Sequence, residues 1–203
     1  MMHMPANRTR NTATAQRRQK QIEDCLYDNL LHTSWQSISV ADICRQVGIS
    51  RKAYYNYFKD KDDCFNSYID RVMRDALLYT TQALPDSATV LEAAVIMLNY
   101  WKAQKPFLDI IVRNNLQNLL MQRHITFAMQ ENRTLLDQLS TPEVESDMDI
   151  LSCCTAIQLT LVLNWYNRDF ETPTEEMARK YLRILFQPMI PQPENPIWGT
   201  ILN

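Results

Sequence analysis

Glycine is almost missing from this chain: two residues in 203, Gly48 and Gly199. Tight turns between strands and phosphate-cradling loops both draw on glycine, so sheet-rich folds and a Gly-rich nucleotide site are disfavoured. Histidine is scarce too, with His3, His32 and His124 far apart. The five cysteines (Cys25, Cys44, Cys64, Cys153, Cys154) form no C-x-x-C pair, and an odd count argues against a disulfide framework. No metal site, cofactor site, nucleophile–base pair or catalytic centre is therefore expected. Neighbouring Cys153 and Cys154 diverge by ~100° on a helix, a poor geometry for a mutual disulfide. Long apolar runs are lacking as well. The richest, Ile150 to Tyr166, is broken by Ser152, Thr155, Gln158, Thr160 and Asn164. It falls short of the ~20 residues of a membrane span. The first residues are polar, without the apolar core of a secretion signal. A cytoplasmic protein with no membrane partner is expected.

What is present is helical patterning. Apolar residues make up 46% of the chain, enough for a core. Charge is unevenly spread. Residues 1–61 hold ten Lys/Arg against five Asp/Glu, a net of +5, whereas residues 62–203 hold eleven against eighteen, a net of −7. A basic head on an acidic body fits nucleic-acid binding by the head alone, or an ordinary uneven surface.

The informative stretch is Ser39 to Lys61, S-V-A-D-I-C-R-Q-V-G-I-S-R-K-A-Y-Y-N-Y-F-K-D-K. Ser39 and Asp42 read as a capping box. Val40, Ile43, Cys44 and Val47 recur at one helical face. Gly48 stands where a helix ends in the left-handed conformation, and Ser50 caps the next helix, which opens with Arg51 and Lys52. A helix, a glycine turn and a second helix with exposed cations at its start are the parts of a DNA-reading helix-turn-helix. Arg51 and Lys52 are assigned to base edges and nearby phosphates. Ser39, Ser50, Tyr55, Tyr57 and Lys61 are assigned mainly to phosphates. Tyr54 and Phe58 are read as core.

Gly48-Ile49-Ser50 followed by Ala53-Tyr54-Tyr55-Asn56-Tyr57-Phe58-Lys59-Asp60-Lys61-Asp62 resembles the DNA-binding signature of the tetracycline-repressor (TetR) family. The resemblance covers roughly Ile22 to Phe65. It implies an all-α protein of about nine helices: a three-helix head carrying the helix-turn-helix, and a C-terminal helical bundle for ligand binding and dimerisation. Departures include Ala53 where the family commonly has Thr, Cys44 and Cys64 where Ala and Leu are common, and Thr33-Ser34-Trp35-Gln36 where a Gly is frequent. Base preference does not carry over.

In order, residues 1–15 read as a basic, disordered arm that either follows DNA or is merely solvated. Residues 16–60 are the head, 61–187 the body and 188–203 a Pro-rich tail. Helix 1 is expected from about Gln16 to His32, with Arg17, Arg18 and Lys20 at a start where the helix dipole disfavours cations. Trp35 and Ile38 plug the base of the head. A helix from Asp60 to about Ala83 joins head to body. Others are expected near Ser87–Gln104, from Pro106, over Asn115–Leu139, over Ser146–Arg168, and after a Thr172-Pro173 cap, with a break at Thr141-Pro142. The last two are expected to pair with a twin subunit through Ile157, Leu161, Met177, Tyr181, Leu182 and Leu185.

The resemblance also implies a pocket in the body. Tyr100, Trp101, Phe107, Met121, Phe127, Met129 and Trp165 are candidates for its apolar lining, each also readable as plain core. Asn99, Arg123, His124 and Asn164 are candidate polar anchors. The expected function is a homodimeric, operator-binding transcription regulator, a repressor released by a small apolar or amphipathic effector. The alternative is a helical small-molecule-binding protein or enzyme whose head no longer binds DNA.

Overall fold

The structure is a computed structural model and describes residues 13–85, 87–136 and 144–186, in backbone alone at 131–136, 144–151 and 186. Among the described residues it is all-α. The helices are α1 (Ala13–His32), α2 (Val40–Val47), α3 (Arg51–Tyr55), α4 (Lys61–Ala83), α5 (Val90–Ala103), α6 (Lys105–Arg113), α7 (Gln117–Leu136), α8 (Val144–Tyr166) and α9 (Thr174–Phe186). A 3-10 turn, Trp35–Ser37, links α1 to α2. Of the basic arm expected over residues 1–15, Ala13 to Ala15 already belong to α1; the rest of that arm, the Thr141-Pro142 break and the tail from Pro188 lie outside the described residues.

Local chemistry explains most helix ends. Ser39 accepts from the Asp42 amide while the Asp42 carboxylate accepts from the Ser39 amide, closing the capping box of α2. Asp60 caps α4 by accepting from the Asp63 amide at 2.7 Å. Thr89 and Glu92 form a second capping box on α5, so that helix begins after Thr89 and not at Ser87. Asn115 takes a left-handed φ of 56° and separates α6 from α7.

Two local expectations change. α1 starts at Ala13, so Arg17, Arg18 and Lys20 lie past its first turn, and Lys20 pairs with Asp24 at 3.3 Å. The dipole cost expected for those cations does not arise, because that effect fades within one turn. α9 starts at Thr174, not after a Thr172 cap. Its first bond runs from the Met177 amide to the Pro173 carbonyl, and the Thr172 carbonyl instead accepts the Trp165 indole N–H at 2.9 Å.

One continuous core runs through head and body. In the head it is Ile22, Leu26 and Leu30 of α1, Ile43 and Cys44 of α2, and Tyr54 and Phe58, which confirms the core reading of both aromatics. Between head and body lies an aromatic chain. Trp35 meets Phe65 at 5.3 Å, Phe65 stacks on Tyr68 at 6.2 Å, and Tyr68 contacts Tyr27 at 4.7 Å and Phe107 at 6.0 Å. In the body, α4 and α5 pack side by side, α7 lies against α4 and α8, and α9 packs mainly on α5.

Candidate nucleic-acid interface

Gly48 sets up the interface. Its φ of 72° lies in the left-handed region, where a side chain would be strained. That turn ends α2 and redirects the chain, and the Ile49 amide bonds back to the Cys44 carbonyl at 2.9 Å. Ser50 then accepts from the Ala53 amide at 3.1 Å and fixes the start of α3. The short helix is held from beneath. Tyr54 is fully buried, contacts Phe58 at 5.7 Å, and donates its hydroxyl to the Asp60 carbonyl at 3.0 Å. Burial pushes the Tyr54 phenol far above its ordinary pKa, so it stays a neutral donor.

With Tyr54 and Phe58 turned inward, the outer face of α3 presents Arg51, Lys52, Tyr55 and Asn56, all exposed. Tyr55 is 53% exposed, unusual for a ring with an apolar body. The Arg51 and Lys52 side chains have no ion-pair partner among the described residues, whereas Arg45 on α2 is paired with Asp42 at 2.5 Å. Two uncompensated cations, a phenol and an amide on one helix start make a surface suited to phosphates and base edges.

The remaining expected contacts sit differently. The Ser39 and Ser50 hydroxyls both serve as caps, and Ser39 Oγ also donates to Asp42 Oδ2 at 2.5 Å. Tyr57 is half-buried against the core. Lys61 turns inward. Its ammonium donates to the carbonyls of Trp35 and Ile38 (2.8 Å for the latter) and lies 4.2 Å from the Trp35 ring centre. Burial lowers its pKa. Lys61 is thus a brace between α4 and the α1–α2 link, where the sequence pointed to a phosphate contact.

Sequence reasoning missed the ties that orient the head on the body. Glu23 of α1 is 3% exposed and accepts from Arg71 Nε at 2.9 Å, Ser67 Oγ at 2.7 Å and Gln19 Nε2 at 3.2 Å. Arg71 also reaches Asp24 and lies 4.8 Å from the Tyr68 ring centre. Arg113, ending α6, donates to the Leu30 and Leu31 carbonyls at the end of α1. Asn114 accepts the Trp35 amide at 2.7 Å. Apart from Gln19 to Glu23, one turn apart on α1, no local spacing announces these, since the others join residues far apart in sequence.

The body candidates also resolve. Trp101, Phe107 and Trp165 are fully buried, Phe127 nearly so, and Tyr100 donates its hydroxyl to the Val72 carbonyl at 2.9 Å. Met121 and Met129 are half-buried. Asn99 and Asn164 are exposed, so neither is an interior anchor. Arg123 turns to Asp70, bonding both its oxygens. Of the expected dimer residues, Met177 and Tyr181 are buried in their own subunit, because α9 packs that face on α5. Ile157 and Leu161, with Thr160, Met177 and the 39%-exposed Ile184, line an open groove of about 470 Å³ between α8 and α9. Leu182 and Leu185 are half-buried. Among the described residues, no helix is long and apolar enough to cross a membrane, and no three His, Cys, Asp or Glu gather into a metal-binding group.

Comparison with known proteins agrees with this geometry. Residues 32–68 match the family model described as bacterial regulatory proteins of the tetR family, and residues 88–187 match a transcriptional regulator C-terminal region of the same family. The chain belongs to the TetR family. Its fold is similar to that of Thermus thermophilus FadR, a TetR-family transcriptional repressor solved with lauroyl-CoA (13% identity, 88% of this chain and 97% of that one, TM-score 0.58). It is similar as well to a TetR transcriptional regulator from Streptococcus agalactiae 2603V (12% identity, 84% and 94% covered, TM-score 0.57). A third is the TetR-family repressor AlkX from Dietzia sp. strain DQ12-45-1b (14% identity, 82% and 92% covered, TM-score 0.56). No curated protein sequence matches the chain. It is a TetR-type DNA-binding regulator by family and architecture.

Proposed function

We propose that this TetR-family regulator is a homodimeric repressor that grips operator DNA through α3 and lets go when a small molecule occupies its body. The observation that carries the reading is the outer face of α3: Arg51, Lys52 and Tyr55 exposed on a helix capped by Ser50 and pinned by buried Tyr54. Arg51 and Lys52 take base edges and flanking phosphates, Tyr55 a phosphate, and Tyr57 a phosphate from its half-buried position. Two heads related by a two-fold axis read half-sites about one helical turn of DNA apart.

The dimer forms through the α8–α9 groove, where Ile157, Leu161 and Ile184 leave apolar surface open. Release works by population shift. Effector in the body favours a dimer whose heads no longer fit successive major-groove sites. The strain travels through contacts that fasten the head, namely Arg71 to Glu23, Arg113 to the end of α1, and Lys61 to the Trp35 turn. Thermus thermophilus FadR, a repressor of similar fold, was solved in complex with lauroyl-CoA, which supports a small-molecule effector here.

The test is fluorescence anisotropy on fragments flanking the protein's own gene, with excess competitor DNA at two salt concentrations. Selective binding that weakens with salt is expected. Absence of selective binding both there and in a genome-wide selection of bound fragments would overturn the reading.

A further inference from the structure

The turn that leads into the helix-turn-helix is held by side chains from distant parts of the chain. Trp35 opens the 3-10 turn, so its amide points out of the turn and has no partner within it. Ser34, in the capping position, makes no side-chain cap; its Oγ pairs with Ser37 Oγ at 2.7 Å. The Trp35 amide donates instead to Asn114 Oδ1, 79 residues further on, at 2.7 Å. Asn114 ends α6 and is 7% exposed. Its Nδ2 donates to the Ile110 carbonyl at 2.9 Å, and its backbone amide donates to the same carbonyl at 3.1 Å. The side chain is thus locked to the last turn of α6 before it reaches the head.

Packing leaves this seam loose. A polar cavity of about 220 Å³ lies between the α1–α2 link and the end of α6, with Ser34, Gln36, Arg113 and Asn115 on its walls. Its volume is that of several waters, so on this side hydrogen bonds, not touching surfaces, fix the link. Arg113 grips the end of α1, whereas Asn114 grips the link itself. Little slack follows. The carbonyls of Trp35 and Ile38 accept from Lys61, Ser39 begins α2, and Gly48 turns α2 directly into the Ser50 cap of α3. Where the Trp35 peptide sits therefore decides where α2 starts and which way the outer face of α3 points.

We propose that Asn114 is a positioning residue for DNA reading, which sets the direction of α3 relative to the body and so the spacing of half-sites that a dimer accepts. The inference rests on the dimeric operator-binding reading above and needs no effector. One added base pair moves two half-sites apart by about 3.4 Å and turns one about the DNA axis by about 35°. Heads fixed to their bodies reject that change, and heads free to swing absorb it.

The test uses the full-length protein and fluorescence anisotropy on an operator fragment selected as above. The same fragment with one central base pair inserted or removed, and a fragment with a single half-site, complete the set. The unaltered protein is expected to favour the parent spacing about tenfold or more. Asn114→Ala leaves the Trp35 amide without its acceptor, and the preference should narrow to about threefold or less, with single half-site affinity changed less than about twofold. Asn114→Asp keeps an oxygen for that amide and should restore the preference. A purely structural role would lower the unfolding midpoint and leave the spacing preference of the folded protein alone. Backbone exchange of the Trp35 amide, followed by NMR of tryptophan-labelled unaltered protein, needs no variant to fold, and slow exchange is expected.

An unaltered spacing preference in folded Asn114→Ala would overturn the inference. So would folded Asn114→Asp behaving as the alanine variant does, or a Trp35 amide that exchanges as fast as in an unfolded chain. Unaltered protein that binds its operator but ignores spacing removes this inference and leaves the DNA reading standing. Unaltered protein that binds no DNA selectively removes both.

Discussion

Arg71 of α4 hydrogen-bonds through Nε to the carboxylate of Glu23, which α1 buries almost completely. Ser67 and Gln19 complete the shell around that carboxylate. A buried charge pair contributes little net stability as a pair, yet removing one partner strands the other. Arg71→Met should therefore destabilise the protein by about 3 kcal/mol, and Glu23→Leu by a similar amount. The double variant should recover most of the loss. Urea unfolding of the four proteins gives the coupling directly, and additive losses would show that the pair does not act as a unit.

The Arg51 and Lys52 side chains are exposed and have no ion-pair partner among the described residues, so their removal should separate binding from stability. Lys52→Ala should weaken operator binding by ~1–3 kcal/mol if it holds a base edge, with relaxed preference at that base pair. If it holds only phosphate, binding should weaken evenly across sequences and the salt dependence should fall by about one ion. Thermal unfolding should not change in either case. Anisotropy against point-mutated operators distinguishes the two roles, and unchanged affinity would remove Lys52 from the interface.

Gly48 tests the turn alone. A methyl group added there meets nothing within 4 Å, so any cost comes from the backbone at φ 72°. Gly48→Ala should lower stability by about 1 kcal/mol, with operator affinity retained in the folded fraction. A much larger loss of DNA binding would mean that the turn itself approaches the duplex.

The head was legible because its chemistry is local. Ser39 with Asp42, the left-handed Gly48, Ser50 and the acidic start of α4 each act within four residues, so spacing alone reveals them. The core roles of Tyr54 and Phe58 followed from the same register. Long-range partners were illegible. Lys61 reads as a free cation at a helix start, but the carbonyls it meets belong to a turn more than twenty residues earlier. Glu23 and Asn114 look like surface polar residues until tertiary packing brings Arg71 and the Trp35 amide to them. On α9 the apolar stripe was visible but its division was not. Tyr181 is buried within its own subunit, whereas Met177, though buried, borders the groove that Ile184 also lines, and helical periodicity cannot say which neighbour covers which side.

His124 makes stability depend on pH. Its folded pKa of about 4 lies below the ordinary 6.5, so the unfolded chain takes up the proton first as pH falls. Its contribution is fully present above pH 6.5 and is lost progressively as pH drops toward 4. The whole loss is about 3 kcal/mol. His124→Phe should flatten the dependence of the urea midpoint on pH within that window, against a background of carboxylate titration common to both proteins. Parallel curves would show that the imidazole reaches water when protonated.

The α8–α9 groove gives the last prediction. Ile184 is 39% exposed in the isolated subunit, beside Ile157 and Leu161, and an apolar side chain left that open fits a surface completed by association. Ile184→Asp would place a carboxylate in the buried centre of a two-fold interface, where it faces its own symmetry mate and has little water. The cost is counted twice per dimer. Sedimentation should then shift from twice the chain mass to the chain mass at micromolar concentration, with helix content unchanged. Leu182→Asp is the comparison. Leu182 is half-buried against its own subunit, so this variant should lower the unfolding midpoint as well as the mass. Operator affinity should fall with the mass in both, because a monomer presents one half-site reader and loses the gain of binding two at once. An Ile184→Asp protein that sediments as a dimer would place the interface elsewhere.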